Sequence, residues 1–389
     1  MIMHIDQARN LASRHGTPLY VYDQTHLKSR ASELLRLQAP FGLTVRYAVK
    51  ANPHPEIIQL FAKAGLHFDA SSSYEAVQLL KLSVPGDHIS LSSQQPAHNL
   101  KQLLEAGVRY IATSCHQMKL FIKTVPPGSH VGLRINPGVG SGHNNRTTTG
   151  GVNSSFGLWH KYLDDVLELA RQHAVLVSTL HIHIGSGADP AAWGNTIDKA
   201  LEIAARMPDV TILNIGGGFK VKRADGEQET NMQSILAAFT EKLSAFAVAT
   251  GRKLHLEIEP GTWLVAHAGT LLAQIVDIVD TGKGGYTFLR VNTGMNDFLR
   301  PTLYGAQHVI EVLNNLNNYA DYAVVGHNCE TGDILTPAPR DPESIVPRRL
   351  RKARIGDLIM IADTGAYGAA LRAVNYNAYP AAKEIVIET

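Results

Sequence analysis

Short apolar runs alternate with stretches of helical periodicity along residues 26–265, and this alternation restricts the fold more than any other feature of the chain. Repeated strand–helix units are typical of a (β/α)8 barrel of the TIM type, in which parallel strands form a closed cylinder inside a ring of helices. We therefore expect an α/β protein with residues 26–265 as its barrel domain. The eight predicted strands are Thr44–Val49, His67–Asp69, His88–Leu91, Tyr110–Thr113, His130–Ile135, Val177–His183, Thr211–Ile215 and Leu254–Ile258.

The other residues, 1–25 and 266–389, have a different pattern. Strand-like runs after residue 265 follow one another, several of them separated by Gly-rich turns, which predicts a mostly antiparallel β-sandwich or β-barrel domain. An early run, Thr17–Asp23, is predicted to complete this C-terminal sheet, so the second domain is discontinuous. A chain of 389 residues also favours two domains. The C-terminal strand-like runs are Leu271–Val279, Thr287–Asn292, Tyr322–Val325 and Leu358–Ala362.

Composition restricts the classes of partner and compartment. A formal net charge of +2 is too small to indicate a nucleic acid or an anionic membrane surface as a partner. The two cysteines, Cys115 and Cys329, cannot form a disulfide framework and fit a reducing compartment. We see no signal-peptide pattern and no apolar run of the roughly eighteen residues that a membrane span needs. We expect a cytoplasmic protein.

Lys50 lies at the end of a strand, where a charged residue is unusual. The apolar run Thr44–Val49 precedes it, and Ala51-Asn52-Pro53 cannot easily continue the strand. In a parallel barrel the carboxyl ends of the strands carry the chemistry. A lysine in an apolar wall there has a lowered pKa and becomes a nucleophile that can form a Schiff base. The alternative for this stretch alone is a lysine that extends from the strand end into water.

Further polar residues and glycines collect at other predicted strand ends, namely Asp69, Arg134, His183, Ser186, Gly216–Gly218 and Glu259. A glycine triplet lets backbone N–H groups approach an anion such as a phosphate, and Ser186 could add its hydroxyl. His183 is either a core histidine or a ring that lies flat against a heteroaromatic ligand. Glu259 points into the barrel, which is costly without a cation such as a protonated pyridine nitrogen. With Lys50, these residues describe a pyridoxal phosphate site.

Seven motifs in order resemble those of the fold type III (alanine-racemase-fold) pyridoxal phosphate decarboxylases, and most closely the diaminopimelate decarboxylase family. The motifs are YAVKANP, HIHIGSG, NIGGGFK, EIEPG, MNDFLRPTLYGAQH, CETGD and DTGAYG…NYN, which lie between Pro18 and Pro380. The resemblance implies a barrel, a C-terminal β domain and a homodimer with shared active sites. It also implies that pyridoxal 5'-phosphate is the cofactor and that meso-diaminopimelate is converted to L-lysine and CO2 for lysine biosynthesis.

The resemblance also implies roles for individual residues, and none of them binds a metal. Lys50 would carry the cofactor, His183 would stack on its ring, and Glu259 would keep the ring nitrogen protonated. Cys329 would be the proton donor and Glu330 would bind the distal amino group, both from across the dimer interface. The implied cofactor-binding set is Lys50, Asp69, Arg134, His183, Ser186, Gly216, Gly217, Gly218, Glu259, Gly261 and Tyr367. The implied substrate-binding set is Arg300, Tyr304, Glu330 and Tyr367.

The chain departs from the family pattern at several positions. Thr262 stands where the family has an arginine that contacts the phosphate and a substrate carboxylate, and threonine cannot form a bidentate ion pair. Residues 69–75 read DASSSYE where a glycine pair is common, and Ser155 replaces a common lysine. The charge missing at Thr262 could come from Arg372, Arg146 or Lys220, and the sequence does not choose among them.

These departures keep other functions open. One alternative retains decarboxylation and changes the substrate to another diamino acid, or to a polyamine or siderophore precursor. Another is a non-catalytic dimeric relative that binds partners, although such proteins typically lose the lysine or the phosphate-binding residues. The Gly/Asn/Thr-rich stretch 138–155 is predicted to be a mobile loop that closes over the substrate.

Overall fold

The computed structural model describes residues 3–138, 150–183, 185 and 187–388, without the side chains of 190–192. Its backbone divides into two compact units. The first comprises Met1–Leu27, Val221–Glu227 and Leu264–Thr389, and the second comprises Lys28–Lys220 and Gln228–Trp263. The short segment Val221–Glu227, which the sequence assigns to the barrel, therefore belongs to the first unit. The boundaries predicted at residues 25/26 and 265/266 stay a prediction.

The elements begin with α1 (Ile5–His15) and β1 (Leu19–Asp23), and the elements of the barrel follow. They are α2 (Gln24–Leu35), β2 (Leu43–Ala48), α3 (Pro55–Ala64), β3 (His67–Ala70), α4 (Ser73–Lys81), β4 (Ile89–Leu91), α5 (Leu100–Glu105), β5 (Arg109–Ala112), α6 (Cys115–Thr124), β6 (His130–Asn136), β7 (Leu158–Trp159), α7 (Leu163–Gln172), β8 (Leu176–His181), α8 (Pro190–Ala205), β9 (Ile212–Asn214), α9 (Met232–Thr250), β10 (His255–Ile258) and α10 (Thr262–Val265).

Eight parallel strands form a closed barrel in the second unit. Their order is β2, β3, β4, β5, β6, β8, β9, β10, and β10 pairs with β2 to close the cylinder. Each of the eight predicted strands is present, so the predicted barrel is confirmed. The additional two-residue strand β7 pairs with β6.

A buried ion cluster lies within the barrel. Arg46 donates to both carboxylate oxygens of Glu257, at 2.9 and 2.8 Å, and Arg109 donates to one of them at 2.6 Å. The charge of Glu257 is therefore matched by two guanidinium groups, which is the condition under which a buried carboxylate is tolerated. Burial alone would raise the pKa of Glu257, but the two arginines lower it to about 2.

The first unit is mostly β-structure. After the barrel come β11 (Gly269–Asp280), β12 (Thr287–Val291), α11 (Arg300–Tyr304), β13 (Ile310–Leu313), β14 (Tyr319–Val325), β15 (Pro337–Ala338), β16 (Asp341–Ile345), β17 (Arg348–Arg351), β18 (Leu358–Ala362) and β19 (Lys383–Ile387). The main sheet has the order β13-β18-β11-β12-β14-β17, and all of its pairings are antiparallel except β12–β14.

The N-terminal strand completes this sheet, as the sequence predicts. β1 pairs antiparallel with β11 and parallel with β19. Buried side chains of the N-terminal segment and of the later strands share one apolar cluster: Met3, Ala8, Leu19, Val21, Leu272, Leu313 and Met360. Within the described ranges, no helix is both long enough and apolar enough to cross a membrane.

Candidate active site

Lys50 lies at the carboxyl end of β2, in a short helical turn that spans Val49–Ala51. Its Nζ donates to Ser71 Oγ at 3.3 Å and lies 3.8 Å from Asp69 Oδ2. The side chain is 42% exposed, so it is not enclosed in an apolar wall as expected from the sequence. The nearby carboxylate and hydroxyl, rather than an apolar enclosure, hold the amine in position.

Asp69, near the end of β3, is almost fully buried, at 2% exposure. Its Oδ1 has no hydrogen-bond partner among the described residues. Burial, followed by the negative charge of Glu259, raises the pKa of Asp69 to about 8, and Lys50 opposes this shift. Asp69 can therefore hold a proton beside the lysine near neutral pH.

Glu259 follows β10 and is 5% exposed. Asn214 donates to Glu259 Oε1 at 2.8 Å, and His181 Nε2 lies 3.4 Å from Oε2. Burial acts to raise the pKa of Glu259, but His181 and after it Lys50 lower it more, so the net pKa is below the ordinary value. Unlike Glu257, whose oxygens are held by arginines, Glu259 stays ionised with no arginine bonded to it among the residues described.

His183 packs directly against the glycine triplet. Gly217 N–H donates to His183 Nδ1 at 3.0 Å, and burial lowers the pKa of His183 well below its ordinary value. The ring is therefore neutral, with its proton on Nε2. Gly216 has φ +71°, and a Cβ there would lie 2.4 Å from His183 Nδ1, so only glycine fits this approach.

The backbone of the triplet is partly committed within the protein. Gly216 N–H donates to Asn214 Oδ1 at 2.8 Å, and Gly217 N–H is bonded to His183. Both glycines are buried, whereas Gly218 is partly exposed and has φ +101°. A phosphate at this triplet would meet Gly218 first, and the other two N–H groups would have to exchange partners.

Two further predicted residues, Arg134 and Gly261, lie near the ends of other barrel strands. Arg134, in β6, is 8% exposed, and its guanidinium lies 4.9 Å from the ring of Phe156. Burial lowers the pKa of Arg134, and the charges of Glu259 and Asp69 oppose this. At Gly261 a Cβ would lie 3.0 Å from Ala51 Cβ, so glycine lets this turn approach the Lys50 turn closely.

The first unit carries the predicted substrate residues. Arg300 and Tyr304 are the first and last residues of α11. Tyr367 has φ +54°, an unusual backbone conformation for a bulky residue and one often associated with functional sites. Burial lowers the pKa of Arg300, and Tyr367 and Tyr304 are close enough to oppose this shift.

Cys329 and Glu330 form an exposed but organised turn in the first unit. Cys329 N–H donates to Asn377 Oδ1 at 2.7 Å, and Tyr376 OH donates to Glu330 Oε2 at 3.1 Å. Hydrogen bonds from Gly332 N–H and from Tyr376 lower the pKa of Glu330. Hydrogen bonds thus join the CETGD and NYN motifs, and the thiol and the carboxylate are exposed on the surface of this unit.

Asp333 anchors this turn from below. It is buried and accepts from the N–H groups of Met295 at 2.7 Å and Asn328 at 3.0 Å. A Cβ at Gly326 would lie 2.1 Å from Asp333 Oδ2, so only glycine allows the backbone at position 326 to lie this close to the carboxylate.

The sequence offers three cations for the charge missing at Thr262, and it also predicts a mobile loop. Arg372 pairs with Glu384 at 2.9 Å and is therefore committed within its own unit. The backbone of Lys220 hydrogen-bonds with Thr230. Ser186, Arg146 and residues 139–149 of the predicted loop lie outside the described residues.

Sequence reasoning missed three polar residues of these clusters. Asn214 joins Glu259 to Gly216, Ser71 binds the lysine amine, and Arg223 lies beside Arg300 in the first unit. Asn214 precedes the glycine triplet by two residues, which puts it on the same strand face as Gly216, and this alternation was the available signal. For Arg223 no local signal exists, because its neighbour Arg300 is distant in sequence.

The barrel, its strand-end lysine and a family match together define the class. A model described as "Pyridoxal-dependent decarboxylase, pyridoxal binding domain" matches residues 26–266. The class is that of the pyridoxal-dependent decarboxylases, which are carboxy-lyases.

Individual relatives narrow this class. The diaminopimelate decarboxylase of Streptomyces coelicolor is 33% identical over 390 residues, which cover 97% of this chain and 86% of that protein. A crystal structure of a diaminopimelate decarboxylase has a TM-score of 0.91 at 28% identity and covers 99% of this chain and 92% of that one. The Helicobacter pylori diaminopimelate decarboxylase complexed with L-lysine has a TM-score of 0.86 at 26% identity and covers 98% and 94%. The chain belongs to the diaminopimelate decarboxylase family.

Proposed function

We propose that this protein decarboxylates meso-diaminopimelate to L-lysine with pyridoxal 5'-phosphate as its cofactor. The observation that carries the proposal is Glu259: a buried, ionised carboxylate, held by Asn214, at the strand end next to the one that carries Lys50. An ionised buried carboxylate without an arginine partner is suited to a cationic ring nitrogen. The names of the relatives support the substrate.

The residues of the second unit fit this cofactor. The unpartnered Asp69 Oδ1, the close glycine approach at Gly216 and the neutral ring of His183 leave polar and flat surfaces at one end of the barrel. Lys50, His183, Glu259 and Gly218 would hold the group, together with Ser186, which lies outside the described residues. When bound, pyridoxal phosphate withdraws the electron pair that remains as CO2 leaves.

Each of these residues has its own task. Glu259 keeps a proton at the ring nitrogen, because its low pKa makes it a stable anion there. Asp69 stores or takes up a proton beside the amine of Lys50, because its pKa of about 8 lies near neutrality. Neutral His183 offers a flat face with no added charge.

We further propose a homodimer in which Cys329 and Glu330 act on the partner's site. Both residues are exposed, yet their backbone and carboxylate are held in place by Asn377 and Tyr376. An ordered reactive pair on a surface suits a role in trans. Cys329 would return a proton to the substrate carbon, and Glu330 would bind the distal amine. The cytoplasmic location stays a prediction.

A related diamino acid without a second carboxylate is the alternative substrate, and Thr262 is the residue that favours it. Threonine there carries no charge for a carboxylate. The alternative predicts turnover of a monocarboxylate diamino acid, such as L-ornithine, in preference to meso-diaminopimelate.

The deciding experiment supplies the purified protein with pyridoxal phosphate and offers meso-diaminopimelate and, separately, L-ornithine and L-lysine. Lysine formation measured by chromatography, absent in Lys50→Ala, would support the proposal. Release of CO2 from L-ornithine alone would favour the alternative. Absence of turnover of all three, with cofactor absorbance present, would count against both.

A further inference from the structure

Arg223 is an arginine of the first unit that neither the sequence motifs nor the proposed mechanism uses. It lies in the segment Val221–Glu227, which belongs to this unit although the surrounding chain belongs to the barrel. Its side-chain Nε donates to the backbone oxygen of Asp363 at 3.4 Å, and its backbone N–H donates to Glu227 Oε2 at 2.9 Å. These contacts fix the base of the side chain and one edge of the guanidinium.

One amino group of that guanidinium has no hydrogen-bond partner in the part of the chain that the structure describes. Arg223 Nη2 and Arg300 Nε are buried, and neither has a hydrogen-bond partner among the described residues. Buried guanidinium N–H groups are ordinarily bonded, because each carries part of a charge that water no longer solvates. Two such groups on neighbouring arginines leave donor capacity for a ligand.

The two cations also repel each other. Burial, and after it the charge of Arg300, lowers the pKa of Arg223 to about 9. The carboxylates nearby are already used: Asp363 Oδ1 is 2.7 Å from His267 Nδ1, and Glu227 accepts from the Arg223 backbone. His308 adds no charge, because burial and the two arginines lower its pKa well below the ordinary value.

We propose that Arg223 and Arg300 together bind the carboxylate that the substrate keeps after decarboxylation, so that Arg223 determines specificity for a diamino acid with a second carboxylate. This inference rests on the proposed function. Guanidinium groups match the planar oxygens of a carboxylate with paired N–H donors, and the negative charge relieves the repulsion between the two cations. Of the cations that the sequence offers in place of the family arginine, Arg372 is committed to Glu384.

A phosphate is the other anion with this chemistry, and the cofactor carries one. The test must therefore separate a substrate carboxylate from the cofactor phosphate. L-Lysine and 1,5-diaminopentane are suitable probes, because they differ only by one carboxylate. Cofactor affinity, measured by absorbance titration, reports on the phosphate.

The experiment compares the wild-type holoenzyme with Arg223→Gln, Arg223→Lys and the control Lys222→Gln, which removes an exposed charge one residue away. Dissociation constants for both probes come from isothermal titration, and turnover of meso-diaminopimelate is measured in parallel. We expect Arg223→Gln to bind L-lysine roughly 10- to 100-fold more weakly, as for the loss of a charged hydrogen bond. Binding of 1,5-diaminopentane and pyridoxal phosphate should be unchanged, and Arg223→Lys should lose less L-lysine affinity than Arg223→Gln.

Every other result would overturn the proposed role of Arg223. Equal weakening of both probes, or no weakening of either, would overturn the role of Arg223 while the proposed function stands. Weaker cofactor binding with unchanged discrimination between the probes would assign Arg223 to the phosphate and overturn the carboxylate assignment. A wild-type enzyme that does not turn over meso-diaminopimelate would remove the proposed function and this inference with it.

Discussion

At the scale of single residues, two carboxylates at the end of the barrel carry opposite protonation states. Glu259 is ionised because Asn214, His181 and nearby positive charges favour the anion, whereas Asp69 is protonated more readily because burial dominates. Separated pKa values of this kind assign one group to charge stabilisation and the other to proton exchange.

The protonation of Asp69 predicts a dependence of stability on pH. Because its folded pKa of about 8 lies above the ordinary value, the folded protein binds more protons than the unfolded chain between roughly pH 4 and pH 8. The stability contributed by this group is present below that window and is lost as the pH rises through it. Asp69→Asn should therefore reduce the fall in melting temperature of the cofactor-free protein between pH 5 and pH 9. A variant whose pH profile parallels that of the wild type would show that Asp69 titrates normally.

Glu259 leads to a prediction about catalysis. Glu259→Gln keeps an oxygen for Asn214 but cannot hold a proton on a cationic ring nitrogen, so we expect kcat to fall by about 100-fold or more. Absorbance of the bound cofactor should persist, which separates this effect from loss of binding. Glu241→Gln, at an exposed position of α9, is the control and should retain full activity. Unchanged turnover in Glu259→Gln would remove Glu259 from the mechanism.

Sequence was sufficient to predict which residue types lie at the strand ends, but not how their hydrogen bonds are distributed. Lys50 and Glu259 are predictable because a charged residue at the end of an apolar strand is costly without a purpose. The exposure of Lys50 and the bonding of the triplet to Asn214 and His183 depend on side-chain placement across different strands. Such long-range pairings leave no local pattern.

At the scale of elements, two sets of hydrogen bonds hold the turn that carries Cys329 and Glu330. One set comes from Asp333 and the other from the segment with Tyr376 and Asn377. The positions of the thiol and the carboxylate therefore depend on residues that do no chemistry themselves.

This arrangement predicts the effect of Asp333→Ala. The change leaves the N–H groups of Met295 and Asn328 buried without an acceptor, at about 1–3 kcal/mol each. We expect a lower free energy of unfolding in urea and an altered rate of Cys329 alkylation. Thr331→Ala, in the same turn but with only a 3.4 Å hydroxyl contact to Glu330, should change neither by much. If Asp333→Ala is clearly destabilised but its alkylation rate is unaltered, Asp333 does not determine the position of Cys329.

Strands differ in how well the sequence predicts them. The barrel strands were all predictable, because apolar and β-branched residues fill them and their inner faces are buried. β16 and β17 were not, because Asp341–Ile345 and Arg348–Arg351 are rich in charged residues and show no apolar alternation. Every residue in them except Leu350 is exposed or half-buried. β16 forms a strand by pairing with β15, which directly precedes it, and β17 by pairing with β14, which lies much earlier in the chain.

At the scale of the whole molecule, the proposed sharing of active sites predicts complementation between variants. Lys50→Ala and Cys329→Ala should each be nearly inactive alone. After mixing under conditions that let subunits exchange, half of the dimers should be mixed, and each mixed dimer has one intact site, so roughly a quarter of wild-type activity should return. Sedimentation measures the oligomeric state in parallel. Activity that stays at the level of the single variants, although exchange is demonstrated by labelled subunits, would place Cys329 and Lys50 in the same chain's site.

The pairing of β1 with both β11 and β19 also fixes an order of events during synthesis. β1 precedes the barrel in the chain and leaves the ribosome before it, whereas one of its two neighbours, β19, follows the barrel and emerges after it. Until Lys383–Ile387 has been made, an apolar strand edge of the nascent chain remains open, although the barrel between them is already complete. Molecules whose translation stops early are therefore the ones with an unpaired edge, which favours aggregation and recognition by chaperones.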